Sequence, residues 1–191
     1  MINKDLGISI LSKVKNALDS VDMPFWITDG TLLGYHRDNG FILHDNDIDV
    51  ATMIDDLSEN FFQSLHENGL VVHSTFGDIG VGFEVSVKLR DEPKSPKCDI
   101  FFFYRGPRNT LWHAAWDFPI KGTNLRRMLK YSYEYFEIAP ITFHGLELHA
   151  PVNIDEVLVT KYGPNWRTPN EKWDWSRDPK NIEITSIFTA V

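Results

Sequence analysis

Three aspartates recur at alternate positions in His44-Asp45-Asn46-Asp47-Ile48-Asp49-Val50. On an extended strand, a period of two puts Asp45, Asp47 and Asp49 on one face and turns Ile48 and Val50 towards a core. Aspartate is depleted in strands, and adjacent carboxylates repel. A strand that carries them side by side calls for a cation between them. Ligands that are all oxygen favour Mg²⁺ or Mn²⁺ over zinc. The plain alternative is a solvated acidic turn with no chemistry. A further acid, Asp99, stands in the apolar run Cys98-Asp99-Ile100-Phe101-Phe102-Phe103-Tyr104. Burying it there is costly unless it is paired or metal-bound; otherwise it sits in solvent near the start of a strand.

Upstream, Phe25 to Ile27 is apolar and short, as a buried strand is. It breaks at Asp29-Gly30-Thr31, where the chain must turn, and Gly30 allows either sign of φ. Leu32 to Arg37 read as a short helix. Unpaired N–H groups at its start, with the Thr31 hydroxyl, suit a phosphate. Arg37 is permanently charged and matched in shape to phosphate, while His36 beside it is a weaker candidate, more often structural. Asp47, Asp49 and Asp99 together make a carboxylate cage for one or two divalent ions. Such ions stabilise the entering and leaving oxygens of an in-line displacement at phosphorus. Asp99 serves as the third ligand, as the base that takes the acceptor hydroxyl proton, or as both in turn.

The run Asp29-Gly30-Thr31-Leu32-Leu33-Gly34, then Arg37, then Asp45-Asn46-Asp47-Ile48-Asp49 resembles the LicD/fukutin family of the nucleotidyltransferase-fold superfamily. That family's usual run is Gly-Thr-Leu-Leu-Gly, an Arg, then Pro-Trp-Asp-Asp-Asp-Ile-Asp. Here Leu43-His44 replaces Pro-Trp and Asn46 replaces the middle Asp, and neither change touches the alternate carboxylates. Tyr162-Gly163-Pro164-Asn165-Trp166-Arg167-Thr168-Pro169 resembles the family's Tyr-Gly-x-x-Trp-x-x-Pro signature, so the likeness extends to about Trp175. The resemblance implies an α+β, nucleotidyltransferase-like mixed sheet flanked by helices, with a third carboxylate on a later strand. It also implies transfer of a phosphorylated alcohol, such as phosphocholine or phosphoribitol, from a CDP-linked donor to a sugar hydroxyl of a glycan, with release of CMP. Two other expectations stand beside it: nucleotidyl transfer from an NTP to a small molecule or protein, and a non-catalytic nucleotide- or glycan-binding domain.

The positioning elements follow from periodicity. Residues 3–20 form an amphipathic helix through Leu11, Val14, Leu18 and Val21. Leu57, Phe61 and Leu65 predict a second, stopped by Gly69. Leu70 to Phe76 and Gly80 to Arg90 predict two strands joined at Gly77-Asp78, the second with Glu84, Ser86, Lys88 and Arg90 on a solvated face. Lys97 to Tyr104 is a strand. The stretch 105–132 reads as loop-like, with Trp112, His113, Trp116 and Asp117 as pocket or packing groups and Arg126, Arg127 and Lys130 as phosphate ligands or a helix surface. A hairpin turns at His144-Gly145. Asn153 and Glu156 cap a helix that stops at Gly163-Pro164, and Trp166 folds back as part of an aromatic tail.

A chain of 191 residues is expected to form one domain, spanning residues 1–191. Its net charge of −8 excludes general nucleic-acid binding, which needs basic surface. A single cysteine, Cys98, excludes an internal disulfide and the zinc-binding cysteine insertion of some eukaryotic relatives. No apolar run reaches transmembrane length and no signal-peptide core is present, so the expectation is a soluble cytoplasmic protein.

Overall fold

The computed structural model describes residues 2–190. Helix α1 (Lys4–Asp19) starts where Asn3 Oδ1 accepts the Leu6 N–H at 3.1 Å. Spacing of three and four buries Ile10, Leu11, Val14 and Leu18 on one side. Strand β1 (Phe25–Ile27) leads into α2 (Asp29–Leu33), which continues as a π-type turn over 34–38 and stops at Asn39 in a left-handed conformation. The helix thus begins at Asp29, ahead of the expected Leu32, because Asp29 itself takes the positive φ (+44°) that turns the chain. Strand β2 (Asp47–Met53) is followed by α3 (Phe61–Glu67), β3 (Leu70–Phe76), β4 (Glu84–Leu89) and β5 (Lys97–Gly106). Leu57 precedes α3 rather than lying within it.

The stretch expected to be loop-like is instead two antiparallel strands, β6 (Thr110–Trp116) and β7 (Leu125–Glu134). Arg126, Arg127 and Lys130 therefore lie on a strand, not on a helix. The hairpin β8 (Ile138–Phe143) and β9 (Leu146–Pro151) turns at His144 and Gly145, both at positive φ. Helix α4 (Ile154–Tyr162) ends at Gly163, and β10 (Ile182–Ala190), absent from the sequence reading, pairs with β7.

The main sheet runs β1-β2-β5-β6-β7-β10, with β4 bound to β5 and β3 to β4. Most pairs are antiparallel; β2 and β5 run parallel. Strand parity divides the sheet into two faces. Ile48, Val50, Cys98, Ile100 and Phe102 turn to one face and are fully buried. Phe61 of α3 packs edge-on against Phe102 there, with ring centroids 5.6 Å apart. Each such side chain contributes about 1.5–3 kcal/mol of burial. The opposite face carries Asp47, Asp49, Asp99 and His113 and is approached by α2 and α4. Among the described residues, no helix is long and apolar enough to cross a membrane.

Candidate active site

Register brings the acids together. Asp49 on β2 stands directly opposite Asp99 on β5, and Ser86 on β4 stands opposite Asp99 from the other side. The Ser86 hydroxyl donates to Asp99 Oδ1. Asp49 and Asp99 are 8% and 4% exposed, so the lone acid of the apolar strand is buried rather than solvated. Asp47 lies two residues before Asp49 on the same face. Asp45 precedes the strand, yet its carboxylate reaches back: a Cβ on Gly30 would lie 2.6 Å from Asp45 Oδ2 and 3.0 Å from Asp49 Oδ2. Gly30 is required here by close approach, not by its backbone angles.

The strand–turn–helix holds Asp49 from three points. Gly30 N–H donates to Asp49 Oδ2 at 2.8 Å, and Thr28 N–H donates to the Asp49 carbonyl at 3.1 Å. Asp49 N–H donates to Thr31 Oγ1 at 2.8 Å. The groups expected to meet phosphate, Gly30 N–H and the buried Thr31 hydroxyl, are thus engaged with Asp49. Asp29, between Thr28 and Gly30, turns the other way. Its Oδ1 lies 2.5 Å from Lys161 Nζ on α4, and its Oδ2 lies 3.8 Å from His113 Nε2 on β6.

His36 and Arg37 have other partners. Arg37 makes a two-pronged contact with its neighbour Asp38, at 2.9 and 2.8 Å. His36 lies 3.6 Å from Asp155, with its ring 5.4 Å from that of Trp166. Among the described residues, neither has a hydrogen bond or ion pair to Asp47, Asp49 or Asp99. Trp166 is buried, and Arg167 pairs with Asp155 at 2.5 Å.

Carboxylates crowded in low dielectric resist ionisation. Burial, then Asp47, Asp29, Asp45 and Asp99 in turn, push the Asp49 carboxyl well above its usual range. Burial and Asp47 push Asp45 up to about 7. Asp99 is raised by burial, against the pull of Lys97. Asp29 goes the other way: burial raises it, but Lys161 and His113 outweigh that and hold it low.

Sequence reasoning missed several members of the site. Lys97 Nζ lies 2.5 Å from Asp99 Oδ2 and 3.2 Å from Asp47 Oδ2. Glu84 and Ser86, assigned to a solvated face, are buried at 6% and 1% exposure, and among the described residues Glu84 Oε2 has no hydrogen-bond partner. The signal for Lys97 was its place two residues before Asp99. The signal for Ser86 and Glu84 was β4 pairing with β5, which alternation alone does not show. Among the described residues, no three His, Cys, Asp or Glu side chains form a ready-made metal site; the Lys97 ammonium stands between two of the acids.

The family model for the LicD/FKTN/FKRP nucleotidyltransferase domain matches residues 22–153. Ribitol-5-phosphate transferase FKTN of Macaca fascicularis is 28% identical over 181 residues, covering 94% of this chain and 37% of that protein. The Homo sapiens protein of the same name is 27% identical over the same shares. The chain therefore spans about two fifths of the length of these relatives. Among solved structures, the antibiotic-resistance factor ANT(2'')-Ia is similar with a TM-score of 0.49 and 14% identity, over 90% of this chain and 78% of that one. The matched segment contains the turn at Gly30, the acid strand and Asp99, and the chain belongs to the LicD/FKTN/FKRP nucleotidyltransferase-domain family.

Proposed function

We propose that the chain is the catalytic domain of a phosphotransferase that moves a phosphorylated alcohol, phosphoribitol first among the candidates, from a CDP-linked donor to a sugar hydroxyl of a glycan, releasing CMP. The observation that carries the reading is the register of Asp49 with Asp99, two residues from Asp47, in a chain of this family. The named activity of the FKTN relatives supports phosphoribitol as the transferred group.

The donor chemistry suits a divalent cation. The converging acids offer oxygen ligands, and Asp49 is raised by burial and then by the neighbouring acids, as expected where negative charge exceeds its compensation. Asp47, Asp49 and Asp99 are the residues that would hold Mg²⁺ or Mn²⁺, once Lys97 yields its place between Asp47 and Asp99. A divalent ion bound there supplies neutralisation of phosphate charge. The rest falls to the chain. Gly30, Thr31 and Thr28 fix Asp49, and Ser86 fixes Asp99. The acceptor hydroxyl oxygen forms a bond to the phosphorus that bears the alcohol, and the anhydride bond to CMP breaks. The hydroxyl proton passes to a carboxylate, and Asp99 is assigned that role. Arg37 would contact the donor phosphates only after leaving Asp38.

The test is CMP release from CDP-ribitol, CDP-glycerol and CDP-choline with Mg²⁺, beside pyrophosphate release from ATP and CTP. Mg²⁺-dependent CMP release from a CDP-alcohol is expected. Pyrophosphate as the sole product would replace the proposal with nucleotidyl transfer.

A further inference from the structure

Asp47, Asp49, Lys97 and Asp99 fill a two-by-two block of the sheet. Asp47 stands opposite Lys97 across the parallel β2–β5 pair, and Asp49 opposite Asp99. Period two puts all four side chains on one face. Three acids and one base share the block, so one ammonium has to answer three carboxylates. It does so by spanning both strands, 2.5 Å from Asp99 Oδ2 and 3.2 Å from Asp47 Oδ2. Among the described residues, the donor to the Asp49 side chain is a neutral one, Gly30 N–H, on its Oδ2. The Lys97 side chain is 36% exposed, against 6% for Asp99, so the ammonium enters from the solvent side of the cluster.

We propose that Lys97 is a resident counter-cation of this cluster, displaced when a divalent ion enters, and that the freed ammonium then pairs with the phosphates of the donor. The inference rests on the phosphotransferase reading and adds a residue to it. A divalent ion brings twice the charge to the same acids and binds carboxylate oxygens directly. Lys97 can yield without backbone movement, because its charge rides on a flexible four-carbon stem. Once displaced, its N–H donors need new acceptors, and a diphosphate lying over the acids supplies them. In the absence of the ion, the same ammonium stops Asp47 and Asp99 from driving β2 and β5 apart. A fixed structural tie between the strands would show the same contacts but would not move.

The experiment follows Lys97 in the full chain by mass spectrometry after brief acetylation of lysine amines, with Mg²⁺ binding read separately by calorimetry. Lys15, ion-paired at the surface with Asp19, is the internal reference. Lys97 labelling should rise several-fold on saturation with Mg²⁺ and fall again when CDP is added. Lys97→Met should bind Mg²⁺ about tenfold more tightly, as when a competing occupant holds the site about nine-tenths of the time. Mg²⁺ binding with Lys97 labelling unchanged, or weaker binding by Lys97→Met, would overturn displacement and leave the phosphotransferase reading intact. Labelling that stays high with CDP bound would overturn the phosphate role. A chain that binds no Mg²⁺ would lose both this proposal and the metal-assisted mechanism.

Discussion

The Lys161 ammonium lies 2.5 Å from Asp29 Oδ1, with the Lys161 side chain buried and that of Asp29 only 11% exposed. Helix α4 thereby holds the turn whose next two residues grip Asp49. Removing one partner of a buried pair strands the other charge in low dielectric, at about 3–5 kcal/mol. Lys161→Met should lower the unfolding free energy by that amount in urea titration. Asp29→Asn combined with Lys161→Met should recover more than half of the loss, since neither charge then remains. A double variant no more stable than Lys161→Met would show that the ion pair is not what holds the turn.

Gly30→Ala separates catalysis from folding. The added methyl group would meet the carboxylates of Asp45 and Asp49. Alanine is favoured over glycine within a helix by about 0.5–1 kcal/mol, which offsets part of the crowding, so the melting temperature should move little. The acids must shift, and misplacement by about an ångström costs roughly 100-fold in rate. CMP release within twofold of the parent chain would show that the cluster tolerates displacement.

The central motif was legible because its signals are local. Ile48 and Val50 alternate with Asp47 and Asp49, and that alternation alone predicts which side chains reach the core. Asp99 was legible as a cost: an acid in an apolar strand needs a partner, and Ser86 and Lys97 are the partners it has. The rest depends on pairing between distant segments. Glu84 and Ser86 alternate with Val85 and Val87 as a half-solvated strand would, yet both faces of β4 are covered there. His113 lies between Trp112 and Ala114, a mixture that reads as a loop, while its actual surroundings are Phe103 and Tyr131 from neighbouring strands, with ring centroids 4.7 and 5.1 Å away. Gly30 and Thr31 were read for their free donors and acceptors, but β2 returns beside them and Asp49 engages both.

His113 gives a pH dependence of defined sign. Burial holds its imidazole down at about 4, although Asp29 pulls it up. The unfolded chain takes a proton near pH 6.5 that the folded ring refuses until about pH 4. This contribution to stability is complete above about pH 6.5 and is lost as pH falls towards 4, by up to about 3 kcal/mol. Asp49 and Glu84 act in the opposite sense. Their folded carboxyls are raised, so protonation on acidification stabilises the fold. Comparison with His113→Phe, which keeps an aromatic ring against Phe103 and Tyr131, isolates the imidazole. The parent chain should lose about 2–3 kcal/mol more than the variant between about pH 7 and 4.5. Parallel stability curves would remove the assignment.

Asp49→Asn should make the protein more stable and inactive. At neutral pH the native fold holds an acid whose ionised form is opposed by burial and by Asp47, Asp29, Asp45 and Asp99. Asparagine removes that charge while its carbonyl oxygen can still accept the Gly30 N–H. A gain in unfolding free energy at neutral pH is expected, in the direction set by that raised carboxyl. CMP release should disappear, because the group that gathers cation and phosphate at this point is gone, a trade of stability against activity common at strained sites. Mg²⁺ should raise the melting temperature of the parent chain and leave that of Asp49→Asn nearly unchanged. A variant that is less stable than its parent by more than about 1 kcal/mol would place Asp49 among the structural acids. Retained Mg²⁺ stabilisation would move the cation site away from β2.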